Sequence, residues 1–183
     1  FQVDNGGRYI HNAVSGAANG SAGDIPGSTT RTFGSSSTVE IQKWANSGTS
    51  PTALPNVTWG NLTINVATLA GSWNPPGLLT TVNGNLTIQA TGGTTREFRL
   101  VANSPALVTV TIAGNLSISG GILNLTSGTA TPTINIGGNF SQTGGTFTST
   151  GAGIGTVIFT GGASAVTFST SGGTFTNTNI NWQ

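Results

Sequence analysis

Acidic side chains and histidine are the groups through which this chain could carry out acid–base or metal chemistry, and the sequence holds few of them. Among 183 residues there are four carboxylate side chains and one imidazole: Asp4, Asp24, Glu40, Glu97 and His11. Glycoside hydrolysis needs two carboxyl groups that face each other across the sugar, about 5–10 Å apart. Asp4 and Glu40 are the pair that a coiled chain could bring together near its start. Since nothing else in the sequence supports that pairing, we expect a chain that is not an enzyme.

The other reactive groups form no recognisable catalytic or metal site. Asp24 lies in a Gly/Ser-rich loop, and Glu97 alternates with arginines in a pattern typical of a surface ion pair. His11 lacks the neighbouring nucleophile and acid of a catalytic triad, and we expect it to face outward from its strand. One imidazole, scattered carboxylates and no cysteine do not make a metal site. We therefore predict neither a metal nor another cofactor.

Tryptophan side chains are the remaining candidates for ligand binding. Trp44, Trp59 and Trp73 lie in or beside loop-rich insertions, where an indole face can stack on a sugar ring while Asn and Thr side chains bond its hydroxyls. The alternative is that these rings are buried and hold the long loops against the core. We favour burial, because large aromatic residues usually bury their area.

The composition favours an all-β chain that associates with itself. Charged residues make up 5% of the sequence and the net charge is +1, whereas roughly a quarter of an ordinary globular protein is charged. Thr, Val, Ile and 29 glycines dominate, and good helix formers are scarce. So few charges give little repulsion between molecules. They also form no basic cluster for nucleic acid, and no apolar run approaches the roughly 18 residues of a membrane helix.

Short alternating segments recur with a regular spacing. A Gly-Asn pair precedes such a segment four times, with steps of 24, 30 and 24 residues between Asn61, Asn85, Asn115 and Asn139. A Gly-Gly pair precedes another segment three times, with steps of 24 and 28 residues. A unit of this length with three short strands matches one complete turn, or rung, of a β-solenoid. We predict a single-stranded parallel β-helix of about six rungs, right-handed like most parallel crossovers.

The whole chain, 1–183, is predicted to form one β-solenoid domain. Residues 60–183 read as regular rungs, and 1–59 read as irregular rungs with long loops. In the irregular part, "NGGRYIHN" is expected to match the Gly-Gly strands and "STVEI" to match "PTINI". One interior column is predicted to contain Leu62, Leu86, Leu116 and Phe140, and Gln142 interrupts the isoleucine column beside it.

The four Gly-Asn asparagines are expected to form a structural ladder. In a solenoid, Asn61, Asn85, Asn115 and Asn139 lie above one another, and stacked amides can bond along the coil. Each also begins an Asn-X-Ser/Thr triplet, which in a eukaryotic secreted protein would be a glycosylation signal. We favour the ladder for these four and keep Asn19, in a loop, as a candidate for modification, with O-linked sugars on Thr and Ser left open.

Both ends of the predicted coil carry strand patterning without a recognisable cap. Solenoid proteins normally cover their open ends with a helix, a charged loop or a polar repeat. Here apolar residues that could contact a neighbouring molecule are Phe1, Val3, Tyr9, Phe175, Ile180 and Trp182. Either the chain is cut from a longer solenoid, or copies bind head to tail in an open fibre. The start at Phe1 and the lack of methionine are expected of a processed or excerpted chain.

Five segments resemble those of large secreted surface proteins of Bacteroidetes-type bacteria: "GGRYIHN", "ALPNVTWGNLTIN", "TVNGNLTIQ", "TREFRL" and "GGNFSQTGGTFTSTG". The resemblance covers essentially the whole chain. It implies an extended, repeat-rich β-solenoid that is exported to the cell surface. It does not specify a function, because such repeats occur in adhesins, filament subunits and passive stalks alike, and it brings no catalytic motif.

Three functions remain, in decreasing order of preference. The first is a non-catalytic extracellular subunit that stacks end to end with copies of itself into a filament or surface fibre. The alternative is an adhesin module that binds glycans through the three tryptophans. The third is a polysaccharide-degrading β-helix enzyme. We expect neither a nucleic-acid partner nor insertion into a membrane.

Overall fold

The computed structural model describes residues 1–12, 25–26, 30–44, 51–69, 71–162, 165–176 and 178–183. Asn19 and Asp24 lie outside these ranges. Within them the chain is all-β, with no helix. The same ranges therefore offer no helix with the length and apolarity needed to cross a membrane.

The described residues form short strands that follow one another along the chain. The first six are β1 (Gln2–Val3), β2 (Arg8–His11), β3 (Thr32–Phe33), β4 (Thr38–Ile41), β5 (Thr58–Trp59) and β6 (Asn61–Val66). The next six are β7 (Thr81–Val82), β8 (Leu86–Thr91), β9 (Phe98–Val101), β10 (Leu107–Ile112), β11 (Leu116–Ile118) and β12 (Ile122–Thr126). The last seven are β13 (Thr131–Ile136), β14 (Phe140–Gln142), β15 (Thr146–Thr148), β16 (Gly155–Phe159), β17 (Phe168–Thr170), β18 (Thr174–Phe175) and β19 (Ile180–Trp182).

These strands stack into three main parallel sheets. The longest sheet has the order β17-β14-β11-β8-β6-β4-β2, the second β19-β16-β13-β10-β7-β5 and the third β18-β15-β12-β9. The pair β1-β3 is a further short sheet. In the regular part, consecutive strands belong to different sheets, so the chain coils and each rung lies on the one before. The prediction of a parallel β-solenoid of about six rungs is confirmed.

The register places like residues above one another. Leu62, Leu86, Leu116 and Phe140 pair in one uninterrupted series, and all four are fully buried. Alternation explains this, since every second side chain of a strand points to the same face. One cluster of buried side chains runs from Val3 to Ile180. Seven strands separated by six steps of about 4.8 Å make the longest sheet about 29 Å across.

Gln142 occupies the interior position at which the preceding rungs carry isoleucine. It pairs with Ile118, which pairs with Ile88, and its side chain is fully buried. Its Nε2 donates to Gly145 O at 3.3 Å and to Thr174 O at 2.9 Å. A buried amide is costly unless it is bonded. These two carbonyls satisfy the Nε2 group, whereas the buried Oε1 accepts no hydrogen bond from the described residues.

Both strand assignments in the irregular part are corrected by the structure. β2, from "NGGRYIHN", pairs with β4, from "STVEI", and β4 pairs with β6. Both therefore continue the Gly-Asn strands of the longest sheet, and neither joins the Gly-Gly strands or "PTINI". The corner before this sheet admits only small residues: a Cβ on Gly60 would lie 2.4 Å from Gly34 O. Glycine or serine therefore precedes strands at this corner, just as glycine precedes the strands at the Gly-Gly corner.

Candidate functional site

Glu40 is an ionised, fully bonded carboxylate on β4. Arg8 Nη2 donates to Glu40 Oε2 at 2.7 Å. Gln42 Nε2 and Asn65 Nδ2 donate to Oε1 at 2.8 and 2.9 Å. The bond from Gln42 lowers the pKa of Glu40 most, followed by the bond from Asn65, and Arg8 adds to them against the opposing effect of burial. A general acid needs its pKa raised instead, so this carboxylate is set up as a structural anion.

The other carboxylates have separate partners. Arg99 Nε donates to Glu97 Oε2 at 2.6 Å, which gives the ion pair expected from the sequence. Asp4 accepts a hydrogen bond from Gln2 Nε2, and no bond joins it to Glu40 among the described residues. Those residues also hold no group of three side chains suited to a metal ion. Each of the three described carboxylates therefore has its own hydrogen-bond donor.

His11 is buried, and the expectation that it faces outward is wrong. Its side chain is 1% exposed, Tyr9 Oη and His11 Nδ1 are hydrogen bonded at 3.1 Å, and its ring packs edge-on against Trp44. β2 turns Tyr9 and His11 inward and leaves Ile10 40% exposed. His11 pairs with Ile41 of the interior column, so alignment with the Gly-Asn strands was the signal that could have placed it.

The three candidate tryptophans are core residues. Trp44, Trp59 and Trp73 are all fully buried, which leaves no indole face for a sugar and corrects the carbohydrate site predicted there. Trp44 Nε1 and Trp73 Nε1 both donate to Ala53 O, at 3.0 and 2.9 Å, and the two rings stack 4.8 Å apart. Trp59 stacks on Phe33. The rings hold the segment around Ala53 against the coil, as the favoured alternative described.

The four Gly-Asn asparagines form a continuous hydrogen-bonded ladder on the outside of the longest sheet. Each side-chain oxygen accepts the backbone N–H of the next rung: Asn85 N donates to Asn61 Oδ1, Asn115 N to Asn85 Oδ1 and Asn139 N to Asn115 Oδ1, at 2.9, 2.8 and 2.7 Å. Thr167 N extends the series to Asn139 Oδ1. Only Asn85 Nδ2 makes the expected amide-to-amide bond, at 3.2 Å. The ladder therefore fastens side chains to backbone between rungs.

Replacing Asn115 by alanine is expected to lower the free energy of unfolding by about 0.5–1.5 kcal/mol, since the N–H of Asn139 loses its acceptor. Denaturant unfolding of both proteins measures the difference. Ser117→Ala is the matched control, because Ser117 lies two residues further along, on β11, and its side chain has no partner among the described residues. It should change stability by less than about 0.5 kcal/mol. Equal losses from the two variants would contradict the ladder.

The C-terminal end of the coil carries an apolar depression of about 370 Å³ lined by Phe159, Phe168, Phe175 and Trp182. Phe168 is 46% exposed, and its ring packs edge-on against Phe175 and Trp182, at 5.5 and 5.0 Å between centroids. Phe175 and Trp182 were predicted for this end. Phe159 and Phe168 were missed, although Phe168 repeats Phe140 after 28 residues, a step the Gly-Gly pairs also show.

The N-terminal end also presents aromatic side chains. Phe1 is 37% exposed and lies edge-on to Tyr9, with ring centroids 4.9 Å apart. Val3 and Ile180, which were predicted as end contacts, are instead buried in the core. Both are buried because Val3 of β1 and Ile180 of β19 point to the interior of the coil. The surface candidates at this end are therefore Phe1 and Tyr9.

Strand edges at the two ends expose backbone groups. Ser171 N donates to Gln142 O at 2.9 Å, and alternate residues of a parallel strand direct their backbone groups to opposite sides. Phe168 and Thr170 therefore direct their N–H and C=O groups away from β14, along the coil axis. Among the described residues β17 pairs only with β14.

The opposite edge of the same sheet is arranged in the complementary way. Gln42 N donates to His11 O at 2.8 Å, so His11 directs its backbone groups toward β4. By the same alternation, Arg8 and Ile10 direct theirs away from it. β2 pairs only with β4 within the described ranges. We define the end surfaces as β2 with Phe1 at one end, and β17, β18 and β19 with Phe159 at the other.

Comparisons of the chain with protein-family models, with curated proteins and with solved structures gave no match.

Proposed function

We propose that this chain is a non-catalytic extracellular structural subunit whose end surfaces bind each other head to tail, so that successive copies continue one coil as a filament or surface fibre. The observation that carries the proposal is that β2 and β17, the edge strands of the longest sheet, each pair with a single strand among the described residues. All its strands are parallel, so a second copy in the same orientation offers β2 to β17 as a further parallel strand. An unpaired edge is a template for such addition.

The character of the end surfaces supports this association. Phe168, Phe175 and Trp182 place aromatic area around the depression at one end, and Phe1 and Tyr9 lie at the other. Contiguous exposed apolar area of this kind marks interaction surfaces. A head-to-tail contact between unlike surfaces does not close on itself, and so it propagates into a fibre.

The charge distribution adds a second line of support. The net charge is +1, and residues 160–182 contain no charged side chain. Asp4 and Arg8 of an incoming copy therefore meet no like-charged side chain. Repulsion between copies is correspondingly small. The extracellular location rests on the resemblance of the repeats to those of secreted bacterial surface proteins.

Replacing Thr170 by proline is expected to abolish fibre formation. Proline removes the N–H that Thr170 directs at the incoming strand, and its ring obstructs the edge. The fold should survive, because this N–H has no partner among the described residues. Sedimentation velocity and electron microscopy over a range of concentrations measure the effect: the unsubstituted chain should form fibres as concentration rises, and the variant should remain monomeric.

Thr170→Ala is the control, since it removes the side chain and keeps the N–H. It should assemble like the unsubstituted chain. An unsubstituted chain that stays monomeric at high concentration, or a proline variant that assembles normally, would refute the proposed function.

A further inference from the structure

We propose that the copies join in one defined register, with Phe168 of one copy opposite Tyr9 of the next, so that 168–170 of β17 pair with 9–11 of β2. This inference rests on the proposed function, because it specifies the contact by which the end surfaces bind. It specifies which residue of β2 faces each residue of β17 across the contact.

The hydrogen-bond rule within the sheet defines this register. Where Phe140 pairs with Phe168, Phe140 N donates to Thr167 O at 2.9 Å, which is the residue before its partner. Leu86, which pairs with Leu116, donates in the same way to Asn115 O at 2.9 Å.

Applied to the contact between copies, the same rule makes Phe168 N donate to Arg8 O of the next copy. Ile10 N of that copy then donates to Phe168 O. These are the groups that point outward at the two ends, so every donor meets an acceptor in the register already used inside the sheet.

The interior columns exclude other registers. Tyr9 begins the column that continues through Val39 and Leu62 and ends at Phe168. With Phe168 over Tyr9, this column of inward-pointing side chains continues across the contact between copies, with one aromatic ring on another. A slip of one residue would turn the interior face of one copy to the outside of the next. A slip of two residues would place Phe168 over His11 and leave Tyr9 without its column neighbour.

The depression gives the aromatic rings of the next copy a place to pack. Its lining is apolar and aromatic, and Phe168 stands at its rim, 46% exposed. Phe1 and Tyr9 form an edge-on pair at the opposite end of the coil. In the proposed register Tyr9 of the next copy stacks on Phe168. Phe1 and Gln2 of that copy reach the level of the second sheet that Trp182 and Gln183 occupy, so one of these two terminal segments moves aside on assembly. Aromatic pairs at such distances add to the apolar area that the contact buries.

Cysteine pairs test the register directly, because the chain contains no cysteine of its own. Ser169→Cys and Ile10→Cys place two outward-facing thiols on directly opposed residues of neighbouring copies. Neighbouring strands lie about 4.8 Å apart, within the Cα separation of about 4.4–6.8 Å that a disulfide spans. The two positions of one copy lie at opposite ends of the longest sheet, so a bridge has to join different molecules.

Two matched variants report a slipped register. Ser169→Cys is combined with Asn12→Cys for a slip in one direction and with Arg8→Cys for a slip in the other. In the proposed register either partner is displaced by two residues, which puts the Cα atoms about 8 Å apart and beyond the reach of a disulfide. Each double variant is assembled under reducing conditions, checked by sedimentation, oxidised and run on a non-reducing gel.

We expect the Ser169/Ile10 pair to give covalent multimers severalfold more efficiently than either slipped pair. Fibres that cross-link best through Asn12 or Arg8, or that fail to cross-link through Ile10, would overturn the register while leaving the end-to-end function intact. Failure of every variant and of the unsubstituted chain to form fibres would overturn the proposed function itself.

Discussion

Replacing Gly145 by alanine is expected to lower the free energy of unfolding by about 3–4 kcal/mol. Gly145 has a φ of +63°, and a Cβ at this position would lie 2.4 Å from Gly121 O and 2.6 Å from Gly120 C of the rung below. These are backbone atoms held in the stack, so they cannot move aside as a flexible side chain would. Urea unfolding, carried out in the Thr170→Pro background so that assembly does not contribute to the measured stability, gives the value.

Gly162→Ala is the matched control for this prediction. Gly162 has the same φ of +63°, but a Cβ there would meet no atom of the described residues within 4 Å. It should therefore show only the left-handed backbone penalty of about 1–2 kcal/mol. The difference between the two variants measures how closely one rung lies on the next. Equal losses would mean that the corner at Gly145 is not stacked as described.

Replacing Trp73 by alanine is expected to cost about 3–5 kcal/mol of stability. Trp73 is fully buried, stacks on Trp44, contacts Phe98 edge-on and donates to Ala53 O. Its removal leaves a cavity between two rungs and frees the segment that both indoles hold. Urea unfolding in the Thr170→Pro background measures the loss.

Trp182→Ala separates core tryptophans from the tryptophan of the end surface. Trp182 is partly exposed and lines the terminal depression. In the otherwise unsubstituted chain, its replacement by alanine should therefore weaken fibre formation. In the Thr170→Pro background, the same replacement should lower the free energy of unfolding less than Trp73→Ala does. Unchanged stability on replacing Trp73 would contradict its place in the core.

The regular part of the fold could be predicted because the sequence shows both the repeat and the alternation of apolar and polar residues within each strand. Leu86 and Leu116 stand at the same offset from their Gly-Asn pairs, and each is flanked by small polar residues, so spacing alone gave their shared column. The irregular part lacked that landmark. A glycine pair before β2 suggested the Gly-Gly corner, but two different corners of the coil exclude side chains and the sequence does not tell them apart.

The end surfaces could be predicted only in part. Phe1, Tyr9, Phe175 and Trp182 were found because they lie near the ends of the chain. Phe168 was not, because its exposure depends on β17 having a neighbour on one side only among the described residues, and that requires the full register. Burial of Trp44, Trp59 and Trp73 was the favoured expectation, but their packing partners depended on how the long insertions fold back onto the coil, which local sequence does not define.

Cryo-electron microscopy of assembled fibres tests most directly whether copies continue one coil. We predict strands perpendicular to the fibre axis, one orientation of the chain throughout, and a rise per copy of about 34 Å, which is seven strands of the longest sheet at about 4.8 Å each. Fibres built from copies in alternating orientation, or from copies that associate through the sides of the coil, would contradict it.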